Sequence, residues 1–456
     1  MIARTLSQLA ATLGGTVQGE GEVMIERIST DTRALGQGAL FVALIGERFD
    51  GHDFAQAALE AGASALLVSR PLAIALPQIL VADTELALGQ LGAWLRRSVD
   101  PYCVALTGSV GKTSVKEMAA AIFALQGATL ATKGNLNNTI GVPLTLLELT
   151  EAHRYAVLEL GANHAGEIRY TSSLVKPDVA LINNIQPAHL EGFGGIEGVA
   201  RAKAEIFESL APDGIAVINL DDDHSARLLE AVADKAVLRF SSRDVADLWA
   251  SEITRGALGG YRFVLNRGQA KVSVELPVPG RHQVDNALAA AALASAAEIE
   301  LSVIAQGLSQ TPQVPGRTQF YRINQQLTVV DDSYNANLAS TRAAIDLLAE
   351  QAGVTILVFA DMGELGEAAQ AHHRQVGEYA SEKGIDRLLT VGTLSAFAAD
   401  AFVGAEHFPG QKELLARLEA AIDAINAPMT ILIKGSRSAR MEQTVAALRE
   451  RFGESS

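Results

Sequence analysis

Short runs of β-branched and other apolar residues alternate along the whole chain with longer segments of helical periodicity. Residues 104–106, 179–182, 215–219 and 355–359 are examples of the apolar runs. Runs of this length and composition are typical of strands that are buried on both faces, and such strands separated by helices form parallel sheets. The sequence therefore predicts an α/β fold that is built around largely parallel sheets.

The chain has 456 residues, which is enough for about three domains, and the pattern divides it into three blocks. Residues 1–82 are predicted to form a small N-terminal α/β module. Residues 83–314 are predicted to form a central, doubly wound and mostly parallel sheet, with a few antiparallel strands between Trp249 and Val278 and then a helix that begins near Asn286. Residues 315–456 are predicted to form a C-terminal, Rossmann-like α/β domain.

The composition limits the partners that the chain can have. There are 37 Lys and Arg against 52 Asp and Glu, so the formal net charge is −15 and nucleic acids and anionic membrane surfaces should be repelled. An anionic ligand then needs a local basic site. The one cysteine, Cys103, cannot form an internal disulfide, and no apolar segment is long enough to span a bilayer. We therefore expect a cytoplasmic protein that neither binds nucleic acid nor inserts into a membrane.

The strongest local signal is a phosphate-binding loop between a predicted strand and a predicted helix. Its residues are Thr107, Gly108, Ser109, Val110, Gly111, Lys112, Thr113 and Ser114. In such a loop the backbone N–H groups and the helix N-terminus face an anion, the lysine reaches the β- and γ-phosphates, and the threonine hydroxyl can hold Mg²⁺. Leu106 stands where the general motif has its first glycine. The strand-loop-helix setting nevertheless favours a nucleotide site over a coincidental Gly-Lys-Thr turn.

Three further polar residues follow the loop. Glu159 ends a predicted buried strand of the same sheet, where an acid that positions a metal ion or a water molecule is expected. His189 follows the next strand, and Lys203 lies on the helix after it. Each of the three is also compatible with an ordinary solvated side chain, so the residues alone leave these roles open.

A longer series of motifs resembles the Mur ligase family of peptidoglycan synthesis, and it covers essentially the whole chain in order. Beside the phosphate loop and His189, the series contains Asn135-Leu-Asn-Asn138, Glu159-Leu-Gly-Ala-Asn-His164, Ala202-Lys-Ala-Glu-Ile-Phe207, Arg281-His-Gln-Val-Asp-Asn-Ala-Leu-Ala-Ala290, Pro315-Gly-Arg317, Asp331-Asp-Ser-Tyr-Asn-Ala-Asn337, Asp361-Met-Gly-Glu-Leu-Gly366 and Ile433-Lys-Gly-Ser-Arg-Ser-Ala-Arg440. Two N-terminal segments, residues 29–33 and 40–52, match the family's module for the UDP-sugar end of its substrate.

The resemblance implies an ATP-dependent ligase. It is greatest to the family member that joins D-Ala-D-Ala to the terminal carboxylate of UDP-MurNAc-tripeptide through an acyl phosphate, releasing ADP and phosphate. It implies that ATP lies between the central and last blocks, and that two Mg²⁺ ions screen the repulsion between the attacking carboxylate and the γ-phosphate. These small molecules are the expected partners, and the chain is expected to be a monomer.

The resemblance also implies roles for particular residues. Lys112, Glu159, His189 and Lys203 are the expected catalytic residues, and the expected metal ligands are Thr113, Glu159, His189 and a carbamylated Lys203. Asn286 is expected to contact adenine, Arg317 the γ-phosphate and Asp332 the ribose. The residues expected to bind the UDP-linked substrate are Ser29, Asp31, Arg33, Arg48, Phe49, Asp50, Gly51, His52, Asn137 and Asn138.

Two alternatives stay open at this level. One is a related ligase that adds a single amino acid, such as the preceding Mur enzyme or a folylpolyglutamate synthase. The sequence lacks the Asp-Asn-Pro-Arg stretch of that preceding enzyme. The other is a nucleotide-dependent switch that ligates nothing, which is disfavoured because the guanine-binding Asn-Lys-x-Asp motif is also missing.

Overall fold

The computed structural model describes residues 1–187, 190–256 and 259–453, and the strands and helices of the fold lie within these ranges. Three sheets with helices packed on them account for most of the fold, and β1 and β3 near the N-terminus form a separate two-stranded antiparallel ribbon. Most neighbouring strands in the three sheets are parallel. The predicted α/β class is therefore confirmed.

The N-terminal sheet lies within residues 1–82 and has the strand order β2-β7-β6-β5-β4. The elements of this part are β1 (Arg4–Thr5), α1 (Leu6–Leu13), β2 (Thr16–Gln18), β3 (Met24–Ile25), β4 (Arg27–Ser29), β5 (Ala39–Val42), α2 (Ala55–Glu60), β6 (Ala65–Val68) and β7 (Gln78–Leu80). Strands β5 and β6 are buried along their whole length, as their apolar runs predict. Helix α1 begins at a capping box, in which Thr5 and Gln8 exchange hydrogen bonds.

The central sheet has the order β16-β15-β14-β13-β12-β11-β8-β10-β9. Its elements are α3 (Thr84–Val99), β8 (Tyr102–Thr107), α4 (Lys112–Ala124), β9 (Thr129–Ala131), α5 (Gly141–Leu146), β10 (Tyr155–Glu159), α6 (Glu167–Val175), β11 (Val179–Ile182), α7 (Leu190–Phe193), α8 (Ile196–Ala204), β12 (Ile215–Asn219), α9 (Ser225–Ala231), β13 (Ala236–Ser241), β14 (Leu248–Arg255), β15 (Tyr261–Arg267), β16 (Ala270–Leu276), α10 (His282–Ala296) and α11 (Leu301–Ser309). Strands β14 and β16 are each antiparallel to β15, which lies between them, and this confirms the antiparallel strands predicted between Trp249 and Val278.

Helix α10 begins at His282, one turn before the position near Asn286 that the sequence suggests. The residues of the first turn are mostly polar and resemble a loop in the sequence, whereas the alanine-rich stretch after Asn286 is clearly helical. Asn286 therefore lies inside the helix and is not its cap. The helix is almost entirely buried and packs against α4, which follows the phosphate loop.

The last sheet has the order β17-β18-β22-β19-β20-β21. Its elements are β17 (Gln319–Arg322), β18 (Leu327–Asp332), α12 (Leu338–Ala349), β19 (Val354–Ala360), α13 (Ala369–Glu382), β20 (Arg387–Val391), α14 (Ala396–Asp400), β21 (Glu406–Phe408), α15 (Gln411–Ala424), β22 (Met429–Lys434) and α16 (Glu442–Phe452). Separate apolar clusters cover its two faces. The second α/β sheet that the sequence predicts is therefore present.

The strand order brings three loops of the central sheet together. Strands β11, β8 and β10 are neighbours and parallel, so their carboxyl ends lie at one edge of the sheet. The phosphate loop follows β8, Glu159 is the last residue of β10, and Asn183 directly follows β11. Within the described ranges, no helix is long and apolar enough to cross a membrane.

Candidate active site

The phosphate loop joins β8 directly to α4. Gly111 precedes the helix with a φ of 80°, in the left-handed region that favours glycine, and a Cβ at this position would overlap the side-chain oxygen of Asn286. The Lys112 Nζ donates a hydrogen bond to the carbonyl oxygen of Gly108 at 2.7 Å, so the lysine folds back over the loop. Burial lowers the pKa of Lys112, the nearby Glu159 carboxylate raises it, and Arg317 lowers it.

The polar residues after β11 hold this loop in shape. The Val110 N–H donates to the Asn184 Oδ1 at 2.9 Å, and the Nδ2 groups of Asn183 and Asn184 both donate to the Val110 carbonyl at 3.0 Å. The Ser109 hydroxyl donates to the carbonyl of Gln186 at 2.8 Å. This supporting role was not predicted from the sequence, although a run of amides after a buried strand is the signal that could have revealed it.

Glu159 is a buried carboxylate whose hydrogen-bond partners are neutral. Its Oε2 accepts from the Thr113 hydroxyl at 3.0 Å, and its Oε1 accepts from the Asn137 Nδ2 at 2.7 Å. Only 2% of the residue is exposed, and no cation forms an ion pair with it among the described residues. A buried carboxylate without a cationic partner is costly, so this arrangement suits a site that receives a cation.

Lys203 is buried in the last turn of α8, with 3% of its surface exposed. Burial lowers its pKa well below the ordinary value of a lysine, and the charge of Lys112 lowers it further. Within the described ranges, its ammonium has no hydrogen-bond acceptor. The surroundings of Lys203 therefore favour the neutral amine over the ammonium.

Arg317 reaches the phosphate loop from the segment that leads into the last sheet. Its Nη2 donates to the Thr113 hydroxyl at 3.1 Å. The segment is anchored on β18, because the backbone N–H and the hydroxyl of Thr318 donate to the Asp332 Oδ1 at 3.0 and 3.2 Å. The other Asp332 oxygen accepts from the buried Lys434 Nζ at 2.5 Å. Lys434, whose role was not predicted from the sequence, therefore helps Asp332 to anchor the segment that carries Arg317.

Asn286 lies against the phosphate loop from the side of α10. Its Oδ1 accepts from the Asn183 Nδ2 at 3.1 Å, and its Nδ2 donates to the Gln283 Oε1 at 3.0 Å. His282, one turn earlier, is a neighbour whose pKa is lowered by burial, while the charges of Asp332 and Asp285 raise it. The structure therefore places Asn286 and His282 of α10 next to the phosphate loop, and the adenine contact expected of Asn286 stays a prediction.

These groups line one cavity of about 700 Å³ between the central and last sheets. From the central sheet it is lined by the phosphate loop, Glu159, Asn183, His282 and Asn286; from the last sheet it is lined by Arg317, Asp332, Tyr334, Lys434 and Arg437. Its volume is in the range of sites for small molecules and cofactors. The structure thus brings together the phosphate loop, Glu159, Asn286, Arg317 and Asp332.

Comparison with known families and proteins agrees with this arrangement. Three family matches follow one another along the chain: the Mur ligase family catalytic domain at residues 24–92, the Mur ligase middle domain at 106–294, and the Mur ligase glutamate ligase domain at 316–437. The UDP-N-acetylmuramoyl-tripeptide--D-alanyl-D-alanine ligase of Escherichia coli is 50% identical over 450 residues, which cover 99% of each chain. The chain belongs to the Mur ligase family.

Two solved structures of Mur ligases match over nearly the full length. A crystal structure of MurF from Acinetobacter baumannii has a TM-score of 0.94 at 40% identity and covers 98% of this chain and 99% of that chain. MurF from Thermotoga maritima, solved in complex with ADP, has a TM-score of 0.83 at 25% identity and covers 94% and 98%. The three-sheet fold of this Mur ligase is therefore that of the MurF structures.

The residues expected at the UDP-linked substrate lie mainly in the N-terminal part and do not line the cavity between the sheets. Asp31 forms a bidentate pair with the exposed Arg33, and this pair lowers the pKa of Asp31 to about 2. The side chain of His52 is buried. Its Nδ1 forms a hydrogen bond with the Asp50 Oδ1 at 2.5 Å, and its Nε2 accepts a hydrogen bond from the Ser69 N–H at 2.9 Å. Both ring nitrogens of His52 are therefore already used within the protein.

The other expected substrate residues have varied settings. The Ser29 hydroxyl bonds to the backbone of residue 31, and Phe49, at 64% exposure, packs edge-on against Phe54. The exposed Arg48 and the buried Gly51 lie on either side of the segment that contains Phe49 and Asp50. The Asn138 Oδ1 accepts from the Gly141 N–H at 2.8 Å, at the start of α5. The expected metal ligand His189 lies outside the described residues.

Proposed function

We propose that this Mur ligase joins D-alanyl-D-alanine to UDP-MurNAc-tripeptide, which is the ligation that the names of its relatives give for those proteins, and that it uses ATP to do so. The reaction supplies a precursor of peptidoglycan. The observation that carries this proposal is the hydrogen bond from Arg317 to Thr113, since it joins the two sheets at the phosphate loop. A cleft of this kind can hold ATP while a second substrate reaches its γ-phosphate.

The reaction is proposed to proceed in two steps. A carboxylate oxygen of the tripeptide attacks the γ-phosphorus of ATP and ADP leaves, which forms an acyl phosphate. The amine of the dipeptide then attacks the acyl carbon, loses a proton and displaces phosphate, which forms the amide. Both steps move negative charge within a narrow cleft, so fixed cations and N–H donors are expected to supply most of the acceleration.

The chain offers such groups on both sides of the cleft. Lys112 and the N–H groups of the loop that ends at α4 are proposed to hold the β- and γ-phosphates. Arg317 is proposed to meet the γ-phosphate from the last sheet, while Asn286 and Asp332 contact adenine and ribose. Because the proposed contacts to ATP come from both the central and the last sheet, the active site is complete only when the two sheets lie together.

Thr113, Glu159, His189 and Lys203 are proposed to hold two Mg²⁺ ions, with Lys203 as a carbamate. The buried carboxylate of Glu159, which lacks a cationic partner among the described residues, supports a metal at this position. The buried amine of Lys203 supports the modification, because a carbamate forms from the neutral amine. When bound, Mg²⁺ neutralises phosphate charge during transfer.

We further propose a division of labour along the chain. Residues 1–82 bind the UDP end of the substrate, residues 83–314 carry the ATPase site, and residues 315–456 complete the ligase site. Asn137, whose side-chain amide donates to Glu159, is proposed to contact the tripeptide as well. The N-terminal residues from Ser29 to His52 are expected to affect binding of UDP-MurNAc-tripeptide and not of ATP.

The test is a product assay with the full chain, ATP, Mg²⁺, UDP-MurNAc-tripeptide and D-Ala-D-Ala, with the products identified by mass. We expect a product heavier than the tripeptide by one dipeptide less one water, together with one ADP per amide formed. Single D-alanine, L-lysine and glutamate serve as control acceptors. Addition of a single amino acid in place of the dipeptide, or hydrolysis of ATP without ligation, would contradict the proposal.

A further inference from the structure

The guanidinium of Arg317 lies between the two sheets. Its Nη2 donates to Thr113, but its Nε is buried and has no hydrogen-bond partner among the described residues. No Asp or Glu forms an ion pair with it within the parts of the chain that the structure describes. A long, rotamer-rich side chain in this state needs another contact to hold one orientation.

That contact is the ring of Tyr334. The guanidinium carbon of Arg317 lies 4.4 Å from the ring centroid, within the range of a cation–π interaction. Tyr334 follows β18, and its backbone N–H donates to the Gly316 carbonyl at 3.0 Å. Thr318, on the other side of Arg317, is bonded to Asp332 of the same segment. The turn that carries Arg317 is thus fixed on both sides by the exit of β18.

An aromatic partner has a chemical advantage at this position over a carboxylate. A carboxylate would orient the guanidinium but would also neutralise the charge that a phosphate has to meet. A ring face orients the cation and leaves its N–H edge free to donate. We propose that Tyr334 is a positioning residue that holds Arg317 over the phosphate loop and thereby sets the preference of the site for ATP over ADP. This inference rests on the proposed function, in which Arg317 meets the γ-phosphate.

The Tyr334 hydroxyl makes no hydrogen bond to any residue that the structure describes, so the ring carries the proposed role. The conservative variant Tyr334→Phe should therefore retain the positioning. Tyr334→Leu removes the ring while keeping an apolar side chain. Loss of a desolvated cation–π contact should lower kcat/KM for ATP by about tenfold, and should leave the affinity for ADP within about twofold.

The chain offers a matched control in Tyr321. Its ring also makes a cation–π contact with an arginine, because the Arg449 guanidinium carbon lies 3.9 Å from the ring centroid. Tyr321, however, does not line the cavity. Tyr321→Leu therefore reports what the loss of an Arg-Tyr contact does to the last sheet in general. Tyr321→Leu also removes the hydrogen bond from the Tyr321 hydroxyl to the Gln319 Oε1. We therefore expect it to lower the unfolding temperature at least as much as Tyr334→Leu does, while kcat/KM for ATP stays at the wild-type value.

The experiment compares the wild type with Tyr334→Phe, Tyr334→Leu and Tyr321→Leu, all at full length. The measurements are steady-state kinetics in ATP, calorimetric titration with ADP and with a non-hydrolysable ATP analogue, and thermal unfolding. Arg317→Ala and an Arg317→Ala/Tyr334→Leu double variant complete a thermodynamic cycle. We expect the double variant to be no worse than Arg317→Ala alone. Equal losses for ADP and for the ATP analogue in Tyr334→Leu, or additive losses in the cycle, would overturn the proposal.

Two further considerations separate the possible failures: a variant that does not fold, and a proposed function that is wrong. If Tyr334→Leu does not fold, fluorinated phenylalanines at position 334 weaken the ring's negative face without changing its shape, and the ATP preference should fall with each added fluorine. An ATP preference that does not change across this series would refute the role of the ring. If the wild-type chain does not ligate the dipeptide, the proposed function fails, whereas the titrations with nucleotide still decide the role of Tyr334.

Discussion

Replacement of Gly111 by alanine should damage the nucleotide site far more than the same change at another glycine of similar backbone geometry. Gly111 has a φ of 80° and its missing Cβ leaves room for the side chains of Asn286 and Asn183. Gly384, at the end of α13, has a φ of 72° and nothing within 4 Å of the corresponding position. Both changes impose left-handed strain, but only Gly111→Ala also forces its neighbours to move.

The two contributions can be separated in magnitude. Left-handed strain costs about 1–2 kcal/mol at either position. At Gly111, moving Asn286 and Asn183 also endangers their mutual hydrogen bond of 3.1 Å and the bond from Asn183 to Val110 of 3.0 Å. Each buried bond left unmade costs about 1–3 kcal/mol. We therefore expect Gly111→Ala to lose at least tenfold in ADP affinity, which corresponds to about 1.4 kcal/mol, while Gly384→Ala keeps the wild-type affinity.

The assay is calorimetric titration of both variants and the wild type with ADP, alongside thermal unfolding. Unfolding shows whether each variant is folded and how much strain the substitution adds, and titration shows whether the loop still binds phosphate. If Gly111→Ala bound ADP as tightly as Gly384→Ala, the contact between the phosphate loop and α10 would not shape the nucleotide site, and our interpretation of Gly111 would be wrong.

Three other substitutions test the electrostatics of the cleft. Lys112→Ala should keep the fold and lower kcat by about 10²–10³-fold, because a fixed cation that meets transferring charge is removed; ligation rates and far-ultraviolet circular dichroism check this. Lys203→Ala should abolish ligation without unfolding, and added short carboxylic acids should restore part of the rate; a wild-type ligation rate in Lys203→Ala would remove Lys203 from the site. Lys434→Met should lower the free energy of unfolding by about 3–5 kcal/mol, because the buried Asp332 loses its ion-pair partner. Adding Asp332→Asn to Lys434→Met should recover part of that loss in urea denaturation.

Much of the fold follows from local pattern. The strands β8, β10, β11 and β19 are runs of apolar residues buried on both faces, so hydrophobicity alone specifies them. The phosphate loop is equally local, because its glycine, lysine and threonine are adjacent in sequence. The predicted start of α10 is about one turn too late, because the polar residues of its first turn give no clear apolar periodicity.

The contacts of the supporting residues of the site cannot be predicted from local sequence in the same way. Asn183 and Asn184 lie more than 70 positions from the loop whose carbonyl they hold, so their partner is set by strand order and not by spacing. Lys434 comes about 100 positions after Asp332, and the two meet because β18 and β22 are parallel neighbours in register. His52 shows the opposite case, in which a residue that suggests a ligand contact is bonded at both nitrogens inside its own domain.

The distribution of charge connects the cleft with the chain as a whole. A protein with a net charge of −15 repels nucleotides at long range, so a nucleotide must be attracted by cations close to its binding site. Lys112 belongs to the phosphate loop and Arg317 reaches it from the last sheet. Neither forms an ion pair with a carboxylate within the described residues, so their charge is available to phosphate. A third cation at Lys203 would add positive charge close to Lys112, and would oppose any metal ion bound at Glu159. Burial and the charge of Lys112 both disfavour that ammonium, so the site itself favours a form of Lys203 that is not positively charged.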